Sequence, residues 1–422
     1  MWVGQEFWAV VYDPKIIEIV LTDQKLLKAS DYQFLRPWLG NGLVTNEGKP
    51  WFNKRKAITP AFHFNILEDF IDIFVRQADV LIGKLELAGI VDVVPLLKLF
   101  TFDVICESAM GIEMKAQQNA NHEYIKANNN IVNIAYKRMF NPLFANDIIF
   151  KLSKYHKSFN ESLKTVHEIN HEIITNRRKE LEKESEDKLT IDEFGRKKKL
   201  ALLDMLLKAT IDGQLLSDKE IEDEVSTFMF AGQDTTGTSL SFLLYSLAKH
   251  PEIQEKVARE VFSIFGEKGD CDITMKALNQ LKYLDLVIKE SMRMYTTVPF
   301  IGRQILEEYK IGDIHFPTNT NLTIFVYGMC HHEDLFPEPE KFNPERFDVT
   351  TSSEKQNPFA FIPFSAGHRN CIGQKFAIFE MKTAVVKLLQ NYLIELADPD
   401  EKLILLEGVV LKSKNGIRLK FS

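Results

Sequence analysis

The feature that most limits the fold is a proline-free run from Ser217 to the His250-Pro251 step, a helix over about 218–249. It opens on Ser217-Asp218-Lys219-Glu220, where a Ser and a Glu can cap each other's backbone N–H groups. Continued as a helix of about 32 residues it is about 48 Å long. Its middle, Phe228 to Leu247, is apolar almost all round, so it crosses an interior rather than lying on a surface. At 422 residues the chain is long for one domain but within reach of a large helical enzyme. Yet the centre reads Ala231-Gly232-Gln233-Asp234-Thr235-Thr236-Gly237-Thr238. Its Gly and Thr residues each cost a few tenths to about 1 kcal/mol against Ala. A buried Asp costs more unless it is hydrogen-bonded or protonated. The segment is either a kinked core helix or a functional groove, since local rules are broken mostly at working sites.

A second constraint lies at Phe364-Ser365-Ala366-Gly367-His368-Arg369-Asn370-Cys371-Ile372-Gly373. Pro363 and the small residues after it continue neither helix nor strand, so 363–373 is a tight loop. Gly367 can take a positive φ, and Gly373 lets the backbone pass close to something bulky. Phe376, Ala377, Phe379 and Glu380 then lead a helical pattern into Val385, Val386, Leu388 and Leu389. Cys371 thus stands where a loop feeds a helix N-terminus, a setting that favours a thiolate. Arg369 adds a cation nearby. Three readings fit. Cys371 is a buried structural cysteine, or a nucleophile beside His368 with no marked orienting partner. The third is an axial ligand to haem iron, where a thiolate pushes electron density onto the metal and favours O–O cleavage.

Composition and the remaining segments narrow the choice. A net charge of −7, from 52 Lys+Arg against 59 Asp+Glu, argues against a nucleic-acid partner. Cys106, Cys271, Cys330 and Cys371 show no paired short spacing, so neither a disulfide frame nor a zinc site is indicated. His331-His332-Glu333-Asp334 lacks a matching ligand pair. No uncharged run reaches about 18 residues, and Met1-Trp2-Val3-Gly4 does not resemble a signal peptide. Phe7–Tyr12 reads as a short strand, and Asp13-Pro14 opens a helix. Trp51 and Arg55 stack on one helix face, and their N–H groups suit an anionic acceptor, a plain surface helix being the alternative.

Residues 64–112 read as two helices around Val91–Leu96, with Cys106 in the core. The aromatic stretch Ile131–Phe150, broken at Asn141-Pro142, lines an apolar channel, touches a membrane surface or simply packs. A charged helix over 155–183 precedes a solvated loop over 184–199. A helix from Ile253 to Phe265 stops at Gly266, and the next carries Glu290-Ser291-Met292-Arg293. Glu and Arg so spaced are usually a surface pair. Strands run from Arg303 to Tyr327, and Asn415-Gly416 signals a hairpin between Val409–Leu411 and Ile417–Phe421.

Four motifs, which follow one another along the chain in the family's order, carry a family resemblance. Phe364, Gly367, Arg369, Cys371 and Gly373 match every fixed position of F-x-x-G-x-R-x-C-x-G, the haem-binding signature of the cytochrome P-450 family. Trp51 and Arg55 resemble its W-x-x-x-R helix, and Ala231–Thr235 its A/G-G-x-D/E-T segment. Glu290 and Arg293 resemble its E-x-x-R, with Asn343-Pro344-Glu345-Arg346-Phe347 downstream. Glu224–Thr236 is similar to the family's fourth branch, usually E-V-D-T-F-M-F-E-G-H-D-T-T, and departs from it at Ser226, Ala231 and Gln233.

The resemblance spans essentially the whole chain and implies a mainly α P-450 fold. One domain over 1–422 would combine a large helical part with a smaller β-rich region and lack the membrane anchor and first helix. Cys371 would hold haem b, with Phe364, Gly367 and Arg369 shaping its loop. Trp51, Arg55 and Arg303 would bind the propionates. Asp234 and Thr235 would relay protons to dioxygen, and Gly232 would leave room for it. Ala231 has no carboxylate, so no ester link to haem is expected there. Glu290, Arg293 and Arg346 would form a buried structural network. The activity implied is monooxygenation of an apolar substrate, the branch typically acting on fatty acids and related lipids. Hormones and xenobiotics are further candidates. NADPH–cytochrome P-450 reductase would supply electrons, with cytochrome b5 as an optional second donor, on the cytosolic face of the endoplasmic reticulum and in contact with its membrane. Two rivals remain: a haem-thiolate isomerase or dehydratase of hydroperoxides, and a catalytically silent haem binder.

Overall fold

The computed structural model describes residues 2–3, 6–86, 89–119, 122–186, 201–211, 213–267, 272–350 and 357–422. The helices that matter for the site are α1 (Pro14–Thr22), α2 (Gly48–Ile58), α3 (Phe64–Leu85), α4 (Val93–Ile105), α5 (Glu123–Phe140) and α6 (Lys154–Glu186). They continue as α7 (Asp218–Lys249), α8 (Pro251–Phe265), α9 (Lys282–Met294) and α10 (Gln374–Leu389). The strands that frame these helices include β1 (Glu6–Val11), β2 (Ile90–Asp92), β3 (Phe300–Ile305), β4 (Thr320–Phe325), β5 (Ile394–Leu396), β6 (Leu405–Leu406), β7 (Lys412–Ser413) and β8 (Arg418–Phe421). The chain divides into two compact units. One holds Met1–Asp31, Phe74–Lys98 and Asp234–Ser422, the other Tyr32–Ile73 and Leu99–Gln233.

In the first unit β1 lies parallel to β4, and β3 pairs antiparallel on β4's other edge, Ile301 opposite Ile324. Ile17, Val20 and Leu21 of α1 pack with Ile301, Ile305, Leu322, Ile324 and Ile362, a cluster of buried apolar side chains. This packing stabilises α1 far more than its length would. Asp13 caps α1, its carboxylate accepting from the Lys15 N–H at 2.8 Å, with Pro14 at the first helical position. A second sheet orders β5, β8 and β2, all antiparallel. In the second unit α5 and α6 pack together, Asn130 Nδ2 donating to Ser158 and Ser162 Oγ at 2.8 Å. Asp204 accepts from two nitrogens of the buried Arg177 at 2.7 and 2.9 Å.

The run that anchors the sequence reading is an unbroken helix across its Gly- and Thr-rich centre. Its start is reciprocal: the Ser217 N–H donates to Glu220 Oε2 at 3.0 Å and the Glu220 N–H to Ser217 Oγ at 3.3 Å. Burial of Phe228, Met229, Leu240, Leu243 and Leu247 outweighs the weak propensity of the middle.

Two local expectations change. Asn415-Gly416 does turn the chain, Gly416 at φ 74°, but the flanking segments do not pair as a hairpin. β7 pairs with β6, while β8 joins β5 and β2. The cause is tertiary: Asn415 is tied to Glu401, Lys402 and the Ile404 N–H, and a Cβ on Gly416 would meet the Asp92 carboxylate at 2.5 Å. The charged helix runs on to Glu186, and the rest of the expected loop, 187–199, lies outside the described residues, as does Cys271.

Candidate functional site

Three cysteines can be compared. Cys106 and Cys330 are buried, and burial pushes both thiols up, Cys330 to about 12. Cys371 is exposed. Its N–H donates to the Phe364 carbonyl at 2.9 Å, which closes the loop. Ser365 and Gly367 take positive φ, 58° and 69°. A Cβ on Gly367 would stand 2.1 Å from the Leu21 carbonyl oxygen, so only glycine fits against α1. Gly373 is the N-cap of α10, and a Cβ there would lie 4.0 Å from Cys371 Sγ. The loop is ringed by positive charge. Burial lowers the His368 pKa first, and the Arg303, Arg369 and Lys28 cations lower it further. Arg303 itself is 1% exposed and donates to the Gly302 carbonyl at 3.0 Å.

The centre of α7 has two characters. Ala231, Thr235 and Ser239, each one turn apart, form a half-buried stripe with Gly232 at its side, in the centre of a helix whose other positions there are buried. A Cβ on Gly232 would fall 2.7 Å from Ile105, so the missing side chain is what lets α4 approach. Gln233 is buried, its side-chain oxygen accepting from Asn128 at 3.0 Å and its carbonyl from Thr101 Oγ at 2.8 Å. Asp234 is fully buried, with Lys98 Nζ 2.5 Å from Oδ1. Its Oδ2 has no hydrogen-bond partner among the described residues. Burying a carboxylate alone costs several kcal/mol, and Lys98 offsets that cost. Lys412 stands close enough to interact with both. Burial pushes its pKa down to about 8, Asp234 resisting and Lys98 assisting.

Glu290, Arg293 and Arg346 come together. Glu290 is fully buried and accepts from Arg293 Nε at 2.8 Å, Arg293 Nη2 at 3.0 Å, Arg346 Nε at 3.0 Å and the Asn343 N–H at 2.9 Å. Arg293 also donates to the Cys330 and Pro339 carbonyls.

Trp51 and Arg55 sit one turn apart on α2, Trp51 buried and Arg55 half-buried. Between them Lys54 turns inward, 3.4 Å from Glu224, whose pKa burial pushes up to about 7.

Sequence reasoning overlooked Lys98 and Lys412, although a lone lysine among Leu96, Leu97, Leu99 and Phe100 was a usable signal. It overlooked Glu380 as well, a fully buried carboxyl in α10 raised well above the ordinary carboxylate value by burial. Neither of its oxygens has a hydrogen-bond partner among the described residues.

An exposed cysteine in a closed loop, with the Arg303, Arg369 and Lys28 cations near its neighbour His368, suits a protein that binds an anionic cofactor through sulfur. The cytochrome P450 family model matches residues 1–421, and the chain belongs to that family. Among its relatives are cytochrome P450 4d10 of Drosophila mettleri, 42% identical over 99% of this chain and 82% of its own length, and cytochrome P450 4d1 of Drosophila simulans, 40% identical over 100% and 84%. Cytochrome P450 4c3 of Drosophila melanogaster is 39% identical over 100% of this chain and 81% of its own length. The crystal structure of the cytochrome P450DA heme domain shares the fold, with a TM-score of 0.82 at 23% identity, covering 98% of this chain and 87% of that one.

The protein is accordingly a P450 monooxygenase, an oxidoreductase that uses haem with a cysteine thiolate ligand, redox partners, O2 and an organic substrate. Its residues fit that cofactor. Among the described cysteines Cys371 alone presents its sulfur outward, and Arg303, Arg369 and Lys28 are suited to carboxylates.

Proposed function

We propose that the chain is a haem b monooxygenase that hydroxylates an unactivated C–H bond of an apolar substrate, a fatty acid or related lipid first among the candidates. Cys371 is the ligand, and its exposed sulfur beside two buried thiols is the observation that carries the reading. When bound, the haem supplies the oxidising chemistry. The remaining work falls to side chains. Arg303 and Arg369, with Trp51 and Arg55 by resemblance, hold the cofactor's carboxylates. Thr235 presents a hydroxyl on the half-buried stripe of α7, and Asp234 behind it feeds protons to that hydroxyl. Ala231 and Gly232 on the same stripe leave it without bulk, so an apolar molecule can replace water there. Residues 1–422 would act as one catalytic domain. NADPH–cytochrome P450 reductase, with cytochrome b5 as an optional second donor, would supply electrons at the cytosolic face of the endoplasmic reticulum. No helix among the described residues is long and apolar enough to cross a membrane. Exposed Leu143, Ile148 and Leu152 would provide contact with a membrane surface.

The test is the absorption spectrum of the reduced, CO-bound protein, followed by turnover of fatty acids, terpenoids and xenobiotics with reductase and NADPH. Cys371→Ser should move the band and abolish turnover. Retention of both would sink the assignment, and product formed without NADPH would favour an isomerase or dehydratase.

A further inference from the structure

α2, which carries Trp51 and Arg55, has 11 residues, too few to be a stable helix alone, and Glu47 before it supplies no side-chain cap. Ties to α7 fix it instead. Asp223 and Glu224, consecutive on α7, each take one backbone N–H from the loop 40–46 that leads into α2. Asn41 donates to Asp223 Oδ2 at 2.8 Å and Leu43 to Glu224 Oε2 at 3.1 Å. Lys54 completes the arrangement from the middle of α2. It is 4% exposed, donates to the Asn41 carbonyl at 3.0 Å and stands 3.4 Å from Glu224 Oε1. The loop is shaped for so close an approach: a Cβ on Gly40 would strike the Asp223 carboxylate, and one on Gly42 the Thr227 hydroxyl. Thr45 ties it shut, its hydroxyl donating to the Gly40 carbonyl at 2.7 Å. All of these residues lie in the second unit.

We propose that Glu224, with Asp223 beside it, is a positioning residue for the cofactor: through Lys54 and the 40–46 loop it sets the roll of α2, and so the place where the Trp51 and Arg55 N–H groups meet the haem carboxylates. The inference rests on the reading of Trp51 and Arg55 as carboxylate holders. The loop fixes where α2 starts. A helix pinned only at its entry can still turn about its axis, and Lys54, held further along, stops that turn. Trp51, Lys54 and Ile58 are the buried face of α2, spaced three and four apart, with Arg55 half-buried at its margin. The Arg55 guanidinium ends a long side chain, so a small roll of the helix becomes a large shift there. Paired N–H contacts to a carboxylate tolerate little of it. Without Glu224 the buried Lys54 ammonium loses its carboxylate, and a buried charge stripped of its partner moves or destabilises what surrounds it.

The haem-loaded protein tests this through the rate at which it gives up haem to an excess of globin stripped of its own, read by absorbance. The pH is 8, above the value of about 7 to which burial raises Glu224, so the carboxylate is the main form. Glu224→Gln and Lys54→Met should each speed haem loss about tenfold. The deciding comparison repeats Glu224→Gln in a Trp51→Phe/Arg55→Met background, which lacks both N–H donor groups and itself loses haem faster. A residue that acts through those donors has little left to act on there, so Glu224→Gln should change the rate by less than about twofold. If it speeds haem loss by the same factor in both backgrounds, or in neither, the inference fails while the reading of Trp51 and Arg55 stands. If the Trp51→Phe/Arg55→Met protein keeps haem as the parent does, that reading fails and the inference with it. Should Glu224→Gln not load with haem, Asp223→Asn takes its place: the same loss of effect in the second background supports the inference, and an equal effect in both overturns it.

Discussion

Around Glu290, four N–H donors converge on two carboxylate oxygens: two from Arg293, one from Arg346 and one from the Asn343 backbone. Around Asp234 an ammonium meets one oxygen, a second cation stands nearby, and the other oxygen has no hydrogen-bond partner among the described residues. Both acids are fully buried and lie in the same unit. A saturated carboxylate can neither accept a proton nor move without losing several bonds at once, so it holds structure. One left partly unsatisfied costs stability and gains the ability to exchange. Burial alone does not separate a structural ion cluster from a working one; the number of donors per oxygen does.

The largest expected effect lies on the saturated side. Glu290→Ala strands two arginines, Arg293 fully buried, and should destabilise the fold by about 3–5 kcal/mol. Urea unfolding measures it, and a loss below about 1 kcal/mol would erase the contrast. The other cluster should respond to pH. Lys412 has a folded pKa near 8 against an ordinary 10.5. Between those values the folded chain holds fewer protons than the unfolded one, so stability rises with pH across the window and the cost of charging is complete below it. Lys412→Met should remove that slope and gain on the order of 1–3 kcal/mol below pH 8. A variant whose pH dependence of melting matches the parent would sink this account. The smallest effect is a control. Lys256 and Glu345 form an exposed pair at 2.9 Å beside Arg346, and Lys256→Ala should change stability by less than about 1 kcal/mol.

How much of this the sequence revealed depends on the range of the interaction. The caps at Asp13 and Ser217 and the stop at Gly266 are local, and their residue types sufficed. The length of α7 was legible for the same reason. The Glu290 cluster joins residues 56 apart, and only the family pattern linked Arg346 to it. Lys98 escaped notice because a single lysine in an apolar helix usually stretches its stem towards solvent. Its partner on α7 is set by tertiary packing that no periodicity encodes. The Asn415-Gly416 turn failed as a hairpin signal for the same reason, since Asp92 and Glu401 decide where its flanking strands go.

The contact between Gly367 and the Leu21 carbonyl leaves no clearance for even one methyl group. The sulfur-bearing loop and the end of α1 thus lie backbone against backbone, and α1 is bedded on the sheet formed by β1, β4 and β3. A side chain at 367 would therefore push the loop that carries Cys371 off α1 before it disturbed the sheet beneath.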